Sequence, residues 1–252
     1  MKEEYFKEYS SCLNRDMEFK VYGHTGKPVL VFPPGCGRFW HYEHHGMVNI
    51  CAPYIDAGRI QLFCIDGIDW ESWENKGGNP YDNMQMQEKY FNYTTEEFIP
   101  RIKEISRDAN GGNEIGIMAT GCSMGATHSA NTFFRRPDLI DSVIALSGLY
   151  SSKYFLGDYM DDTVYRNCPL YFLPNITDEN WLNQMRRARL VFCVGQGAWE
   201  DPMVEDTLRL KQILEQKHIP AFVDIWGKDV NHDWDWWYKQ TAYYLPFLMG
   251  ER

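Results

Sequence analysis

Short, largely apolar runs recur along the chain at Pro28–Phe32, Ile60–Ile65, Ile115–Ala119, Ser142–Ser147 and Leu190–Val194, and Ala221–Trp226 reads as a last strand. Runs this short, with no polar alternation, predict strands buried on both faces, as parallel sheets require. Between them lie stretches of helical period: 43–57, 90–107, 126–134, the segment after Pro202 and 233–247. In the segment after Pro202, Val204, Leu208, Ile213 and Leu214 fall on one apolar stripe. The opening differs, because residues 5–22 alternate like a hairpin, with Met17–Tyr22 the better strand. Strands that alternate with helices predict an α/β fold: a mostly parallel sheet covered by helices on both faces.

Glycine and proline punctuate this pattern. Gly23 to Lys27 reads as a turn, and Pro33-Pro34-Gly35-Cys36-Gly37 as a rigid loop after the Pro28–Phe32 strand. Residues 70–82, rich in Gly, Asn, Pro and Trp, read as a surface loop. Thr94 or Thr95 is the expected N-cap of the helix that reaches Arg107, and Gly111-Gly112 stops the following segment. Residues 150–185 are the least regular part, either a cover over a site or an ordinary excursion. No internal repeat appears, and 252 residues suit one domain spanning 1–252.

The middle of the chain carries the candidate chemistry. The Ile115–Ala119 strand runs into Gly121-Cys122-Ser123-Met124-Gly125, and a small-residue helix follows from Ala126 to Phe134, closed by Pro137. Strand, G-x-S-x-G, helix is the context of a nucleophile elbow. The glycines allow a sharp turn that lifts the serine hydroxyl clear of the sheet. The helix N-terminus behind it points N–H groups at developing negative charge.

A serine hydroxyl needs a base within reach and a group that orients the base. The elbow's chain order is serine, acid, histidine. His24, His41, His44 and His45 precede Ser123, His128 lies inside the elbow helix, and His218 ends an amphipathic helix as a dipole partner. His232, in the loop after the last strand, remains as general base. The acid should follow Val194, where Glu200 and Asp201 are adjacent. Asp201 before Pro202 suits an N-cap, which leaves Glu200 for His232, with Asp201 as the alternative. Asp206 is expected to be solvated within the helix. The amides of Met124 and Cys36 are the expected oxyanion donors, and the Cys36 thiol could alternatively be reactive.

Charge and composition narrow the partners. A net charge of −10 with no basic stripe argues against nucleic acid and against an anionic membrane surface. Seven cysteines without C-x-x-C spacing favour a reducing compartment. No apolar leader follows Met1 and no run approaches a bilayer span, so a cytoplasmic location is expected. No cofactor is expected. A metal site on His41, His44 and His45 beside Glu43 has suitable helical spacing, but no distant fourth ligand accompanies it.

The elbow, then Pro137-Asp138-Leu139 before a strand ending Ser147-Gly148, then Asn231-His232-Asp233-Trp234 together resemble the putative-esterase branch of the α/β-hydrolases, which includes feruloyl esterases, S-formylglutathione hydrolases and mycolyltransferases. The resemblance runs from Pro28 to Leu248. It implies an α/β-hydrolase fold, Ser123 as nucleophile, His232 as base and an acid near Glu200. It therefore implies a serine esterase acting on a small-molecule ester through an acyl-enzyme. The rival readings are an acyltransferase using the same triad, and a hydrolase-fold protein that binds without catalysis.

Overall fold

The computed structural model describes residues 1–251. Its strands are β1 (Glu3–Ser10), β2 (Arg15–Tyr22), β3 (Lys27–Phe32), β4 (Ile60–Ile65), β5 (Ile117–Cys122), β6 (Ile140–Leu146), β7 (Arg189–Val194) and β8 (Phe222–Ile225). They form one eight-stranded sheet in the order β1-β2-β4-β3-β5-β6-β7-β8. The β1–β2 hairpin is antiparallel and joins β4 antiparallel; every pairing from β4 through β3 to β8 is parallel. The helices are α1 (His41–His44), α2 (Met47–Asp56), α3 (Pro80–Asn92), α4 (Ile99–Ala109), α5 (Met124–Arg135), α6 (Lys153–Leu156), α7 (Asp162–Asn167), α8 (Pro169–Phe172), α9 (Glu179–Arg187), α10 (Asp201–Gln216) and α11 (Trp234–Leu248).

The largely apolar runs explain the layering, because successive residues of one strand feed opposite cores. Leu30, Phe63, Ala119, Val143 and Phe192 pack with α4, α5, α9 and α10 on one face. Their neighbours Val31, Leu62, Met118, Ile144 and Val191 pack with α2 and α11 on the other. A fully buried side chain of this size contributes about 1.5–3 kcal/mol, so both faces drive assembly of the central strands.

Several boundaries differ from the sequence expectation for physical reasons. Ile115 is exposed, and β5 starts at Ile117 and runs through Cys122, so the strand itself delivers the first elbow residues. The 43–57 helix is two helices, broken where Gly46 adopts φ +78°. The 90–107 helix begins at α3, capped by Asn79, whose side chain accepts the Tyr81 N–H at 2.9 Å. Thr94 and Thr95 are therefore not caps. They lie in a π-helical turn over Tyr93–Phe98 and donate to the Tyr90 and Phe91 carbonyls one turn back. Residues 150–185 fold largely into α6 to α9. Asp206 is buried, not solvated: its carboxylate accepts the Tyr150 and Ser151 N–H groups at 2.8 and 2.9 Å and pins the start of that segment to α10.

The parallel order sends the carboxyl ends of β3, β5, β6, β7 and β8 to one edge, where the loops bearing residues 33–37, 123, 147, 195–200 and 226–232 meet. The contact there is tight. A Cβ on Gly125 would lie 2.4 Å from the Phe32 carbonyl oxygen, so α5 abuts the end of β3 with no space between. Gly125→Ala should therefore destabilise the protein by about 1–3 kcal/mol or more, as overpacking does. Gly77, whose added Cβ meets nothing within 4 Å, should tolerate alanine within about 0.5 kcal/mol. Urea unfolding of the two variants measures the difference.

Candidate active site

Ser123 joins β5 to α5 with φ +57° and ψ −124°, a backbone state that a side-chain-bearing residue adopts only under constraint. The constraint is visible on each side. A Cβ on Gly121 would strike the Gly125 backbone at 2.4 Å, and the Ser123 N–H is held by the Leu146 carbonyl at 2.9 Å. Neighbouring Cys122 and Met124 are buried, while Ser123 itself retains exposure. The N–H of Met124, first in α5, has no acceptor within its own helix.

His232 reaches this serine from the opposite end of the sequence. Its Nε2 lies 2.9 Å from the Ser123 Oγ. The loop that carries it is laced to the loop after β7. The His232 N–H donates to the Ala198 carbonyl at 3.0 Å, the Asn231 side chain accepts the Ala198 N–H at 2.8 Å, and the Gly197 N–H donates to the Val230 carbonyl at 2.8 Å. The Trp237 ring stands edge-on to the imidazole, 4.9 Å between centroids. Asp233 caps α11 through the Trp234 N–H, as its position before that helix suggests.

Glu200 stands behind the imidazole and is fully buried. Its Oε2 is 3.5 Å from His232 Nδ1, longer than a normal hydrogen bond. Both atoms are buried and neither has another partner among the described residues, so each is the other's available mate. The other carboxylate oxygen accepts the Ser147 hydroxyl at 2.6 Å, and that hydroxyl accepts the Trp237 indole N–H at 3.2 Å. Ser147, with φ +57°, and Trp237 are the residues that sequence reasoning missed. The only hint was that Ser147 ends a strand beside a glycine.

Asp201 is exposed and is the first residue of α10, with Glu200 in the N-cap position and making no capping bond. The capping reason for separating the two acids thus fails, although the geometry brings Glu200 and not Asp201 to His232. The remaining histidines have other surroundings. His128 is buried with Nε2 2.8 Å from the Asp69 carboxylate. His41 accepts the Arg38 N–H on Nδ1 and stacks on Trp40, and His45 stacks on Trp234. His218 lies exposed beyond α10 with φ +54°. Among the described residues, no group of three His, Cys, Asp or Glu side chains is arranged to hold a metal ion.

The Pro33–Gly37 loop turns back at a Gly37 N–H to Pro34 carbonyl hydrogen bond of 2.8 Å, with Cys36 at φ +51°. Desolvation and the neighbouring Glu74 carboxylate push the Cys36 thiol up to about 12, so it is protonated at neutral pH and a poor nucleophile. Trp73 is buried in a cluster with Met124, Val164 and Cys168, against which Phe155 and Leu156 pack. The 150–185 segment therefore packs directly on the elbow. Trp70 is partly exposed, whereas Trp199, beside Glu200, is 84% exposed with φ +69°.

The fold recurs in solved structures. A ferulic acid esterase superposes with a TM-score of 0.74 at 16% identity, over 100% of this chain and 99% of that one. An S-formylglutathione hydrolase from Agrobacterium tumefaciens gives 0.73 at 15% identity, over 99% and 95%. MPT51 (FbpC1) of Mycobacterium tuberculosis gives 0.71 at 12% identity, over 100% and 99%. At such identities the likeness is one of fold, and the fold is that of the α/β-hydrolases. No curated protein matches the sequence. No helix among the described residues is long and apolar enough to cross a membrane. The model of the family described as "Putative esterase" matches residues 10–242, and the chain belongs to that family.

Proposed function

We propose that the protein is a serine hydrolase that cleaves carboxylic esters through an acyl-enzyme, with Ser123 as nucleophile, His232 as general base and Glu200 as the acid that orients it. The 2.9 Å approach of His232 Nε2 to Ser123 Oγ carries this reading. It is the distance at which a general base removes a proton as the oxygen attacks. The strained elbow supports it too, since nothing in packing alone calls for a serine at φ +57°.

In the mechanism, Ser123 Oγ attacks the ester carbonyl and its proton passes to Nε2. The negative charge that develops on the carbonyl oxygen meets the N–H groups of Met124 and Cys36, together with the positive end of α5. Collapse breaks the ester C–O bond while Nε2 returns the proton to the departing alcohol. Water then repeats the sequence on the acyl-enzyme, with the same imidazole as base. Glu200 holds the ring and balances the imidazolium charge that forms twice per cycle. Ser147 keeps the Glu200 carboxylate turned toward the ring by donating to its other oxygen, and the Trp237 N–H holds that hydroxyl in place.

The proposed substrate is a small-molecule ester, and no cofactor enters the scheme. Transfer to an alcohol acceptor in place of water would use the same steps. Adding short alcohols to a chromogenic ester assay and assaying for transesterified product separates the two outcomes.

Steady-state kinetics on a chromogenic acetate ester should show kcat reduced by on the order of 10⁶ in Ser123→Ala and in His232→Ala. Glu200→Gln should cost less, by roughly 10⁴ by analogy with other triad acids. Asp201→Asn should stay within about threefold; a larger loss there than in Glu200→Gln would move the acid to Asp201. Ser147→Ala frees one oxygen of Glu200 without removing the charge. It should lower kcat roughly tenfold with KM little changed, because the lost interaction acts on the transition state.

A further inference from the structure

Glu74 is a carboxylate that the scheme above does not use, yet it lies against the loop on which that scheme depends. A Cβ on Gly35 would fall 2.1 Å from Glu74 Oε1 and 2.8 Å from Oε2, so the carboxylate occupies the space that a side chain at this position would fill. The Cys36 thiol, next in sequence, is close enough to the same carboxylate to interact with it. Burial raises the Glu74 carboxyl above its ordinary range, and Asp69 nearby adds to the rise, while Cys36, His128 and Lys76 oppose it.

The loop needs such an anchor. In the turn closed by the Gly37 N–H and the Pro34 carbonyl, Cys36 is the third residue and has φ +51°. A turn with positive φ at that position ordinarily takes glycine or asparagine. Cysteine there is strained, and the Glu74 carboxylate packed against the neighbouring Gly35 braces the turn. Glu74 is itself fixed, because its N–H donates to the Asp69 carbonyl at 2.8 Å and the Asp69 carboxylate meets His128 of α5 at 2.8 Å. The path thus runs from the elbow helix, through His128 and Asp69, to Glu74 and the loop.

We propose that Glu74 is a positioning residue: its carboxylate, packed on Gly35 beside Cys36, holds the Cys36 amide in the orientation that receives the oxyanion. This rests on the serine-hydrolase reading, so that reading is tested first. A fluorophosphonate must label Ser123 in the wild-type protein. Absence of labelling overturns the hydrolase reading whatever Glu74 does.

With labelling established, kcat and KM are measured on a chromogenic acetate ester for variants shown to be folded by circular dichroism. Glu74→Ala should lower kcat roughly tenfold or more with KM within about twofold, as expected when one oxyanion donor is misplaced rather than lost. Glu74→Gln keeps an acceptor oxygen and should retain most of kcat. Cys36→Ser keeps a donor and should also retain it, while Cys36→Ala should fall as Glu74→Ala does. The Glu74→Ala/Cys36→Ala double variant should be no worse than either single variant, because both remove one interaction. Wild-type kcat in Glu74→Ala, or losses that multiply in the double variant, would overturn the proposal. If Glu74→Ala does not fold, the Cys36 pair decides: equal kcat in Cys36→Ser and Cys36→Ala overturns it.

Discussion

The approach of the His232 imidazole to the Ser123 hydroxyl, 2.9 Å apart, joins two positions separated by 109 residues of sequence. Neither side chain holds that position alone. The serine is set by a strained turn clamped between Gly121, Gly125 and the Leu146 carbonyl. The histidine is set by the bonds that lace residues 230–232 to residues 197–198, and by Trp237 against its ring. Parallel strand order makes the meeting possible, since it brings the loops after β5, β7 and β8 to one edge of the sheet.

Energetically, the site inverts the habits of the rest of the molecule. The two cores on either side of the sheet bury apolar side chains in favourable geometry. At the carboxyl edge the chain tolerates positive φ at Cys36, Ser123, Ser147 and Trp199, and a fully buried carboxylate at Glu200. Each such feature opposes folding by on the order of 1–3 kcal/mol. Their concentration at one edge agrees with strain being held where chemistry needs pre-set geometry, and the cores supply the stability that offsets it.

Much of the fold was legible because short, largely apolar runs have one stable use, a strand buried on both faces. The elbow was legible because its glycines answer a backbone demand. What stayed hidden depended on contacts between distant segments. Asp206 has the helical position of a solvated acid, and only the return of Tyr150 and Ser151 to α10 buries it. Thr94 and Thr95 have cap chemistry, but a helix already running from Pro80 turned their hydroxyls back onto its own carbonyls. The capping rule that would separate Glu200 from Asp201 is not honoured at this helix start, and what distinguishes Glu200 is its burial behind His232. Ser147 and Trp237 gave no periodic or motif signal, since a hydroxyl that orients a carboxylate is defined only by its partner in space.

Covalent capture of the intermediate tests the central claim most directly. An ester with a fast leaving group and a slowly hydrolysed acyl group, mixed with the protein and quenched in acid within the first turnover, should leave the acyl mass on the peptide containing Ser123 at close to one equivalent. Turnover of that ester with the Ser123 peptide unmodified, or with the acyl mass on the Cys36 peptide instead, would contradict the account.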